Sequence, residues 1–278
     1  MDAQHDFVRA RRRATIARLM ARLRGEPGDV GVVLPYEEVI DALGFVGERP
    51  VGVKVVPLDA IVGSVDRGRD YDRRFRPTSG RTRGRWEHIA AAARRGESFP
   101  PVDLLRVGDL YFVRDGHHRV SVARALGRTD IDAYVTEVRT RLDADLAMQV
   151  SDLPLKSHER VFFERVPLPA EAHSEIQLSD LEDYALLAEM VEAWGFRAMQ
   201  SRGDALDRRE TAILWLETEY RPVVAMLHEA GLVGDRTNAK AYMRIAGERY
   251  WLLRTHEWSD EVVQQVIEGK GRWRHPEG

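Results

Sequence analysis

The stretch YFVRDGHHRVSVARALG, residues 111–127, decides the fold of this chain. It opens with an aromatic and apolar segment typical of a strand and closes with a segment of small and apolar residues typical of a short helix. Between them lies Asp115-Gly116-His117-His118-Arg119, which we call the box. Because Gly116 allows a backbone conformation that a side chain would hinder, the stretch predicts a strand, a tight turn and a helix.

The box concentrates groups that bind anions. The first turn of a helix has backbone N–H groups without helical partners, which suits a phosphate. The guanidinium of Arg119 adds a fixed positive charge, and the imidazoles of His117 and His118 can carry protons. Two structural alternatives stay open: Asp115 caps the helix, or the histidines are satisfied by other side chains. A zinc site is not favoured, because no third ligand stands at a metal-binding spacing.

Composition excludes several classes of function. The 278 residues are 44% hydrophobic, which is enough for two domains with cores of their own. The absence of cysteine excludes disulfides, thiolate metal sites and thiol nucleophiles. The segment Arg9–Arg13 lacks the apolar run of a signal peptide, and no window has the length and hydropathy of a membrane span. We therefore expect a cytoplasmic protein with no membrane partner.

Charge is spread unevenly along the chain. The net charge of −3 gives the whole molecule no attraction for nucleic acid. Residues 66–95 nevertheless contain ten arginines against four acidic residues, whereas residues 151–200 contain ten acidic residues against four basic ones. Because arginines outnumber lysines 38 to 4 in the whole chain, the number of arginines alone assigns no function to this segment.

The N-terminal residues predict a helical arm. Apolar residues recur at helical spacing over residues 6–24 with arginines on the other face, and a short helix is predicted over residues 36–43. The first helix is either an arm that binds nucleic acid or a partner, or a helix packed on the main body. We assign residues 1–48 to this arm.

Strand and helix patterns alternate in the next part of the chain. The predicted elements are a strand at 51–56, a Gly- and Arg-rich loop at 63–83, a helix at 86–95, and strands at 102–106, 110–114 and 131–138. Prolines interrupt the pattern afterwards, and the remainder has apolar residues at helical spacing. The predicted domains are a mixed α/β domain at 49–140, a linker at 141–176 and a helical domain at 177–278.

The order of these elements resembles the N-terminal domain of the ParB/sulfiredoxin superfamily. The resemblance rests on the strand that ends before Asp59, the basic loop, Pro100-Pro101-Val102, the box with Ala123 and Gly127 after it, and the strand that contains Ile131–Val135. It implies an α+β protein, in which a ParB/sulfiredoxin-like mixed α/β domain is followed by an all-helical C-terminal domain. The superfamily includes CTP-dependent chromosome-partition clamps, sulfiredoxins, free-serine kinases and nuclease-like domains.

Departures from the patterns of these families narrow the choice. Partition proteins usually carry Gly-Glu-Arg-Arg in the box, where this chain has Gly-His-His-Arg, and they continue into a helix-turn-helix domain for which residues 140–200 offer no candidate. Sulfiredoxins need a reactive cysteine, which this chain lacks. The free-serine kinases are similar at the box, since they carry the same Asp-Gly-His-His-Arg.

The resemblance implies a nucleotide-binding protein that uses Mg²⁺ with ATP, ADP or CTP. Such a protein only binds and releases the nucleotide, or hydrolyses it slowly, or transfers a phosphoryl group to a small hydroxyl substrate. In the last two cases the protein is an enzyme of the NTPase or kinase class. The expected phosphate-binding residues are Gly116, His117, His118 and Arg119, with Arg67, Arg69 and Arg76 as a lid. The expected catalytic residues are Asp59, Asp115, His117 and His118, with Asp59 as the base and Asp115 as the Mg²⁺ ligand.

The alternative function is DNA binding. A partition-like or nuclease-like protein would place the arginine-rich loop and the N-terminal helix on phosphates, with an affinity that falls steeply with salt. The near-neutral net charge favours the nucleotide. The sequence leaves the oligomeric state open.

Overall fold

The computed structural model describes residues 3–25, 28, 31–66 and 68–253, with side chains to residue 249. The chain divides into two compact units, residues 1–160 and residues 161–278. The first contains strands and helices, and the described part of the second is helical. The expected α+β class, a mixed α/β part followed by a helical part, is confirmed, whereas membership of the ParB/sulfiredoxin superfamily stays a prediction.

The first unit holds the sheet and the helices that cover it. In chain order its elements are α1 (Ala3–Leu23), β1 (Leu34–Pro35), α2 (Tyr36–Leu43), β2 (Phe45–Pro57), a 3₁₀ turn (Leu58–Ala60), β3 (Ile61–Ser64), α3 (Arg83–Arg94), β4 (Val102–Val107), β5 (Leu110–Asp115), α4 (His117–Ala125), β6 (Asp130–Thr140) and a 3₁₀ turn (Val150–Asp152). The helix α5 (Leu153–Arg165) follows, so part of the expected linker is helical.

The six strands form one mixed sheet in the order β1-β3-β5-β4-β6-β2. The strands β4 and β5 form an antiparallel hairpin, β3 runs parallel to β5, and β4 runs parallel to β6. The antiparallel pair of β2 and β6 closes one side, with β2 at the edge. The box therefore starts where β5, an interior strand, ends.

Two apolar clusters hold the helices and the basic loop against this sheet. In the larger one, Tyr71 and Phe75 of the loop pack with Val113 of β5 and Val120 of α4. In the smaller one, α1 and α4 meet the indole of Trp86 on α3. Residues that the sequence marks as a loop are thus anchored in the core, and the first half of α1 is packed on the body.

The box helix begins at a strained glycine. Gly116 has a φ of 102°, in the left-handed region, and a Cβ at this position would lie 2.5 Å from Cγ1 of Val102. The turn from β5 into α4 therefore needs both the conformational freedom and the small size of glycine. This is the tight turn that the sequence predicts.

The helices of the second unit follow the predicted pattern with one interruption. They are α6 (Leu181–Arg202), α7 (Arg208–Trp215), α8 (Arg221–Glu229) and α9 (Asn238–Leu253), with a 3₁₀ turn at Ala170–Glu175. A π-helical turn, Leu216–Tyr220, joins α7 to α8. Because Pro222 has no N–H for the carbonyl of Thr218 four residues earlier, the α-helical bonding cannot pass through it, and the π turn stands where the break is expected.

No helix within the described residues is long and apolar enough to cross a membrane.

Candidate functional site

Both histidines of the box are buried and hydrogen-bonded. The Nε2 atom of His117 lies 2.8 Å from Oγ of Ser64, and Nδ1 of His118 lies 2.8 Å from the hydroxyl of Tyr71. The Tyr71 ring also stacks on the His117 ring, with 6.3 Å between the centroids. The two histidines therefore join the start of α4 to β3 and to the basic loop. This arrangement corresponds to the structural alternative named above, in which other side chains satisfy the histidines.

Arg119 is held by three oxygens. Its NH1 group donates to the carbonyl of Pro100 at 2.5 Å and to that of Pro101 at 3.1 Å, and its NH2 group donates to Oδ2 of Asp115 at 2.8 Å. The side chain of Asp115 is 75% exposed, whereas that of Arg119 is only 16% exposed. These bonds fix the turn between β5 and α4 from both sides.

Positive charge is concentrated at a cavity that is lined in part by Tyr71, the partner of His118. This cavity, which we call the arginine cavity, has a volume of about 1210 Å³ and lies between α1, the basic loop and α4. Among the described residues, its lining contains two acidic ones, Asp59 and Asp72. Its lining arginines are Arg18 and Arg22 from α1, Arg24 directly after α1, Arg69, Arg73, Arg74 and Arg76 from the loop, and Arg124 from α4.

A second lobe of about 320 Å³ adjoins the arginine cavity. The two share Asp59, Arg74, Arg76 and Arg124, which we call the junction. Asp59 lies in the 3₁₀ turn directly after β2, and Arg124 lies on the last turn of α4. A carboxylate and three guanidinium groups therefore line both lobes.

Asp72 organises the basic loop. Its Oδ1 atom accepts from the backbone N–H groups of Arg74 and Arg76, at 3.0 and 2.9 Å, and its Oδ2 atom accepts from Nε of Arg76 at 2.7 Å. Arg76 also donates to the carbonyl of Arg13 at 3.2 Å, which links the loop to α1. The loop thus has a fixed conformation that holds its arginines toward the junction.

Arg124 is the most enclosed arginine of the junction. Its NH2 group donates to the carbonyls of Leu58 and Ile61, the latter at 3.0 Å, and its guanidinium lies 6.0 Å from the centre of the Phe75 ring. Burial lowers the pKa of Arg124, and the carboxylate of Asp59 opposes that change. The guanidinium of Arg124 is partly desolvated, and Asp59 compensates its charge only in part. An anion bound at the junction would therefore stabilise the charged form of Arg124 further.

The structure brings together some of the predicted site residues. Asp59, Arg69 and Arg76 line the arginine cavity. Arg119 lines a different cavity of about 610 Å³, on the side of α4 toward Phe99 and Ile131. Arg67 lies outside the described residues. None of the five box residues, Asp115, Gly116, His117, His118 and Arg119, is in the described lining of the arginine cavity.

Sequence reasoning missed two residues of the junction, Arg74 and Arg124. Arg124 follows His117 by seven residues, or two helical turns, so it lies on the same side of α4 as that histidine. This spacing is a signal that could have found it. Arg74 had no such signal, because its position depends on the turn around Asp72.

The donor set limits how a magnesium ion could be held. No group of three or more His, Asp or Glu side chains within the described residues could hold a metal by itself. Mg²⁺ often takes one or two carboxylates together with phosphate oxygens. Asp59 at the junction fits that role with a phosphorylated ligand, whereas Asp115 bonds to Arg119.

Comparisons with known proteins add little to this site. No protein-family model matches the chain, and no curated protein is significantly similar to it. A solved structure of a Pnob8-like ParB-N domain matches at 12% identity, covering 81% of this chain and 83% of that one, with a TM-score of 0.23.

Proposed function

We propose that the protein binds a nucleoside polyphosphate in the arginine cavity. The observation that supports this function best is the lining itself, whose described residues include eight arginines and two aspartates, and Asp72 is already paired with Arg76. Guanidinium groups match phosphate oxygens in charge and in planar geometry. A ligand with several phosphates would relieve the repulsion among these cations.

Within this proposal the box does not contact the ligand but holds in position residues that line the arginine cavity. His118 holds Tyr71, which lines the arginine cavity, and α4 carries Arg124 to the junction. The glycine turn and the bonds of Arg119 fix the start of that helix. The nucleotide is therefore proposed for the arginine cavity and not for the box, where the resemblance to the free-serine kinases implies the phosphate contacts.

Phosphoryl transfer is the chemistry that the junction would serve. The arginines would neutralise charge on the transferring group, and bound Mg²⁺ would supply further neutralisation. The carboxylate of Asp59 would accept the proton of an acceptor hydroxyl. Arg74 and Arg76, on a loop fixed by Asp72, would hold the phosphates in position.

Calorimetric titration of the full chain with ATP, ADP, CTP and GTP, each with Mg²⁺, tests the proposal. We expect binding that Arg74→Glu weakens by about tenfold or more, because a charge-assisted contact at the junction becomes a repulsion. Arg85→Glu is the matched control, since it makes the same charge change on the exposed surface of α3, away from the cavity lining. We expect this control to bind as the wild type does.

Two outcomes would contradict the nucleotide proposal. One is no heat of binding with any of the four nucleotides. The other is an equal loss of affinity in Arg74→Glu and Arg85→Glu, which would mean that only the overall charge matters.

Replacing Asp59 separates its two proposed roles. Without Mg²⁺, Asp59→Asn should bind a nucleoside triphosphate several-fold more tightly, since a negative charge beside the phosphates is removed. With Mg²⁺ the variant should lose that advantage, and any transfer to a hydroxyl substrate should fall by about a hundredfold or more. Titrations in the presence of EDTA and of Mg²⁺ measure the first effect. Unchanged affinity in both buffers would exclude Asp59 from the ligand site.

The size of the arginine cavity favours one second candidate, a phosphodiester chain. Its volume of about 1210 Å³ exceeds the ~300–1,000 Å³ that is usual for small-molecule sites. Arginines of α1 and of the loop would then follow the phosphates of DNA. Binding of a duplex without nucleotide, with an affinity that falls about a thousandfold between low and moderate salt, would favour DNA over the nucleotide.

A further inference from the structure

The second half of α1 presents an apolar face to solvent. The side chains of Ile16, Leu19, Met20 and Leu23 are 49%, 57%, 43% and 74% exposed, and we call them the α1 stripe. Their spacing of three and four residues places them on one face of the helix. Four large apolar side chains in a row are more than the single exposed apolar residues that are normal on a protein surface.

The α1 stripe lies opposite the face that holds α1 on the domain. Ile16 follows the buried Phe7 by nine residues, which at 3.6 residues per turn is two and a half turns and so half a circle. Phe7 packs edge-on against Trp86, with 5.5 Å between the ring centroids, and Asp6 bonds to Arg94. The helix is therefore fixed by one side, and of the opposite stripe only Met20 also lines the arginine cavity.

The charge along α1 is of one sign beyond Asp6. From Phe7 to Leu23 the helix contains six arginines and no acidic residue, and two of them, Arg18 and Arg22, also line the arginine cavity. Two such helices would repel each other, which disfavours a second copy of this chain on the stripe. Nucleic acid would use the arginines but not the apolar side chains. The occupant must therefore be both anionic and able to bury hydrocarbon.

We propose that the α1 stripe docks on the surface of an anionic lipid bilayer. Basic helices with one apolar face lie in the plane of such a surface, with the apolar side chains among the acyl chains and the arginines at the headgroups. The α1 stripe extends over residues 16–23, about 11 Å along the helix axis. This contact is peripheral, and it replaces the expectation, drawn from the missing apolar run, that the protein has no membrane partner.

Sedimentation of the full chain with lipid vesicles tests the proposal. We expect binding to vesicles of equal parts phosphatidylcholine and phosphatidylglycerol, and little binding to phosphatidylcholine alone. The double variant Leu19→Gln/Leu23→Gln, which keeps every charge and favours helix, should weaken binding by about tenfold or more. Neither residue lines the arginine cavity, so nucleotide titration should be unchanged and a failure of one proposal leaves the other intact.

The matched control is Leu186→Gln/Phe196→Gln on α6, which removes two apolar side chains that are 50% and 60% exposed. We expect this control to bind vesicles as the wild type does, and circular dichroism should show the same helix content in all three proteins. Equal binding by wild type and the α1 variant would overturn the proposal, because arginines alone would then explain the attraction.

Two further results would overturn it. Absence of wild-type binding to the anionic vesicles would leave an acidic protein surface as the occupant. Self-association in sedimentation velocity that Leu19→Gln/Leu23→Gln abolishes would assign the α1 stripe to a second copy.

Discussion

Trp86→Ala should destabilise the protein by about 3–5 kcal/mol, the usual cost of truncating a fully buried tryptophan. The indole is 0% exposed, packs edge-on against Phe7 of α1 and donates from Nε1 to Oγ of Ser121 on α4 at 2.8 Å. Truncation therefore opens a void where three helices meet and leaves a buried hydroxyl without its donor. Urea denaturation followed by circular dichroism measures the change in unfolding free energy.

The same variant should release α1. Phe7 and Ala10 bury their side chains in the cluster that contains Trp86, and limited proteolysis should cut the variant within residues 3–25 faster than the wild type. Phe196→Ala is the control, since this aromatic side chain is 60% exposed and its truncation should cost below about 0.5 kcal/mol. A cost below about 1 kcal/mol for Trp86→Ala would show that the helices do not depend on this contact.

Gly116→Ala should cost about 3 kcal/mol or more, because two penalties add. The left-handed backbone costs a residue with a Cβ about 1–2 kcal/mol. The new methyl carbon would also lie 2.5 Å from Cγ1 of Val102, and such overpacking costs about 1–3 kcal/mol. Since Val102 begins β4, the strain is expected to disturb both the hairpin and the start of the box helix.

Gly127→Ala is the matched control for this substitution. Gly127 ends the same helix with a φ of 77°, and a Cβ there would meet no atom within 4 Å. It should therefore pay only the backbone penalty, about 1–2 kcal/mol. Chemical denaturation of both variants measures the difference. Equal costs for the two alanines would mean that the packing on Val102 contributes nothing.

Local patterns predict much of the fold. The strand, glycine turn and helix around Gly116 depend on residues that are neighbours in sequence, and the structure shows them as β5 and α4. The start of β2 at Phe45 was not predicted, because its first half is stabilised by pairing with residues 136–140, far along the chain. The composition of the segment gives no comparable signal.

The candidate site shows the same division between local and distant causes. The arginine-rich composition identifies the basic loop in the sequence, and the Asp-Gly-His-His-Arg sequence identifies the box. The partners of the histidines, Ser64 and Tyr71, come from β3 and from the loop, and no local pattern identifies them. The meeting of the loop arginines with those of α1 depends on where Phe7 packs, which only the folded chain reveals.

The position of β2 has a consequence for biosynthesis. Val56 of β2 pairs with Ile131 of β6, which is 75 residues later in the chain. At ~5–20 residues per second, β6 is therefore synthesised about 4–15 s after β2. Meanwhile a strand with Val53 and Val55 is open to pairing with other nascent chains. Lys54 between these valines and the prolines at positions 50 and 57 are residue types that block such pairing. They act as gatekeepers for the interval before β6 leaves the ribosome.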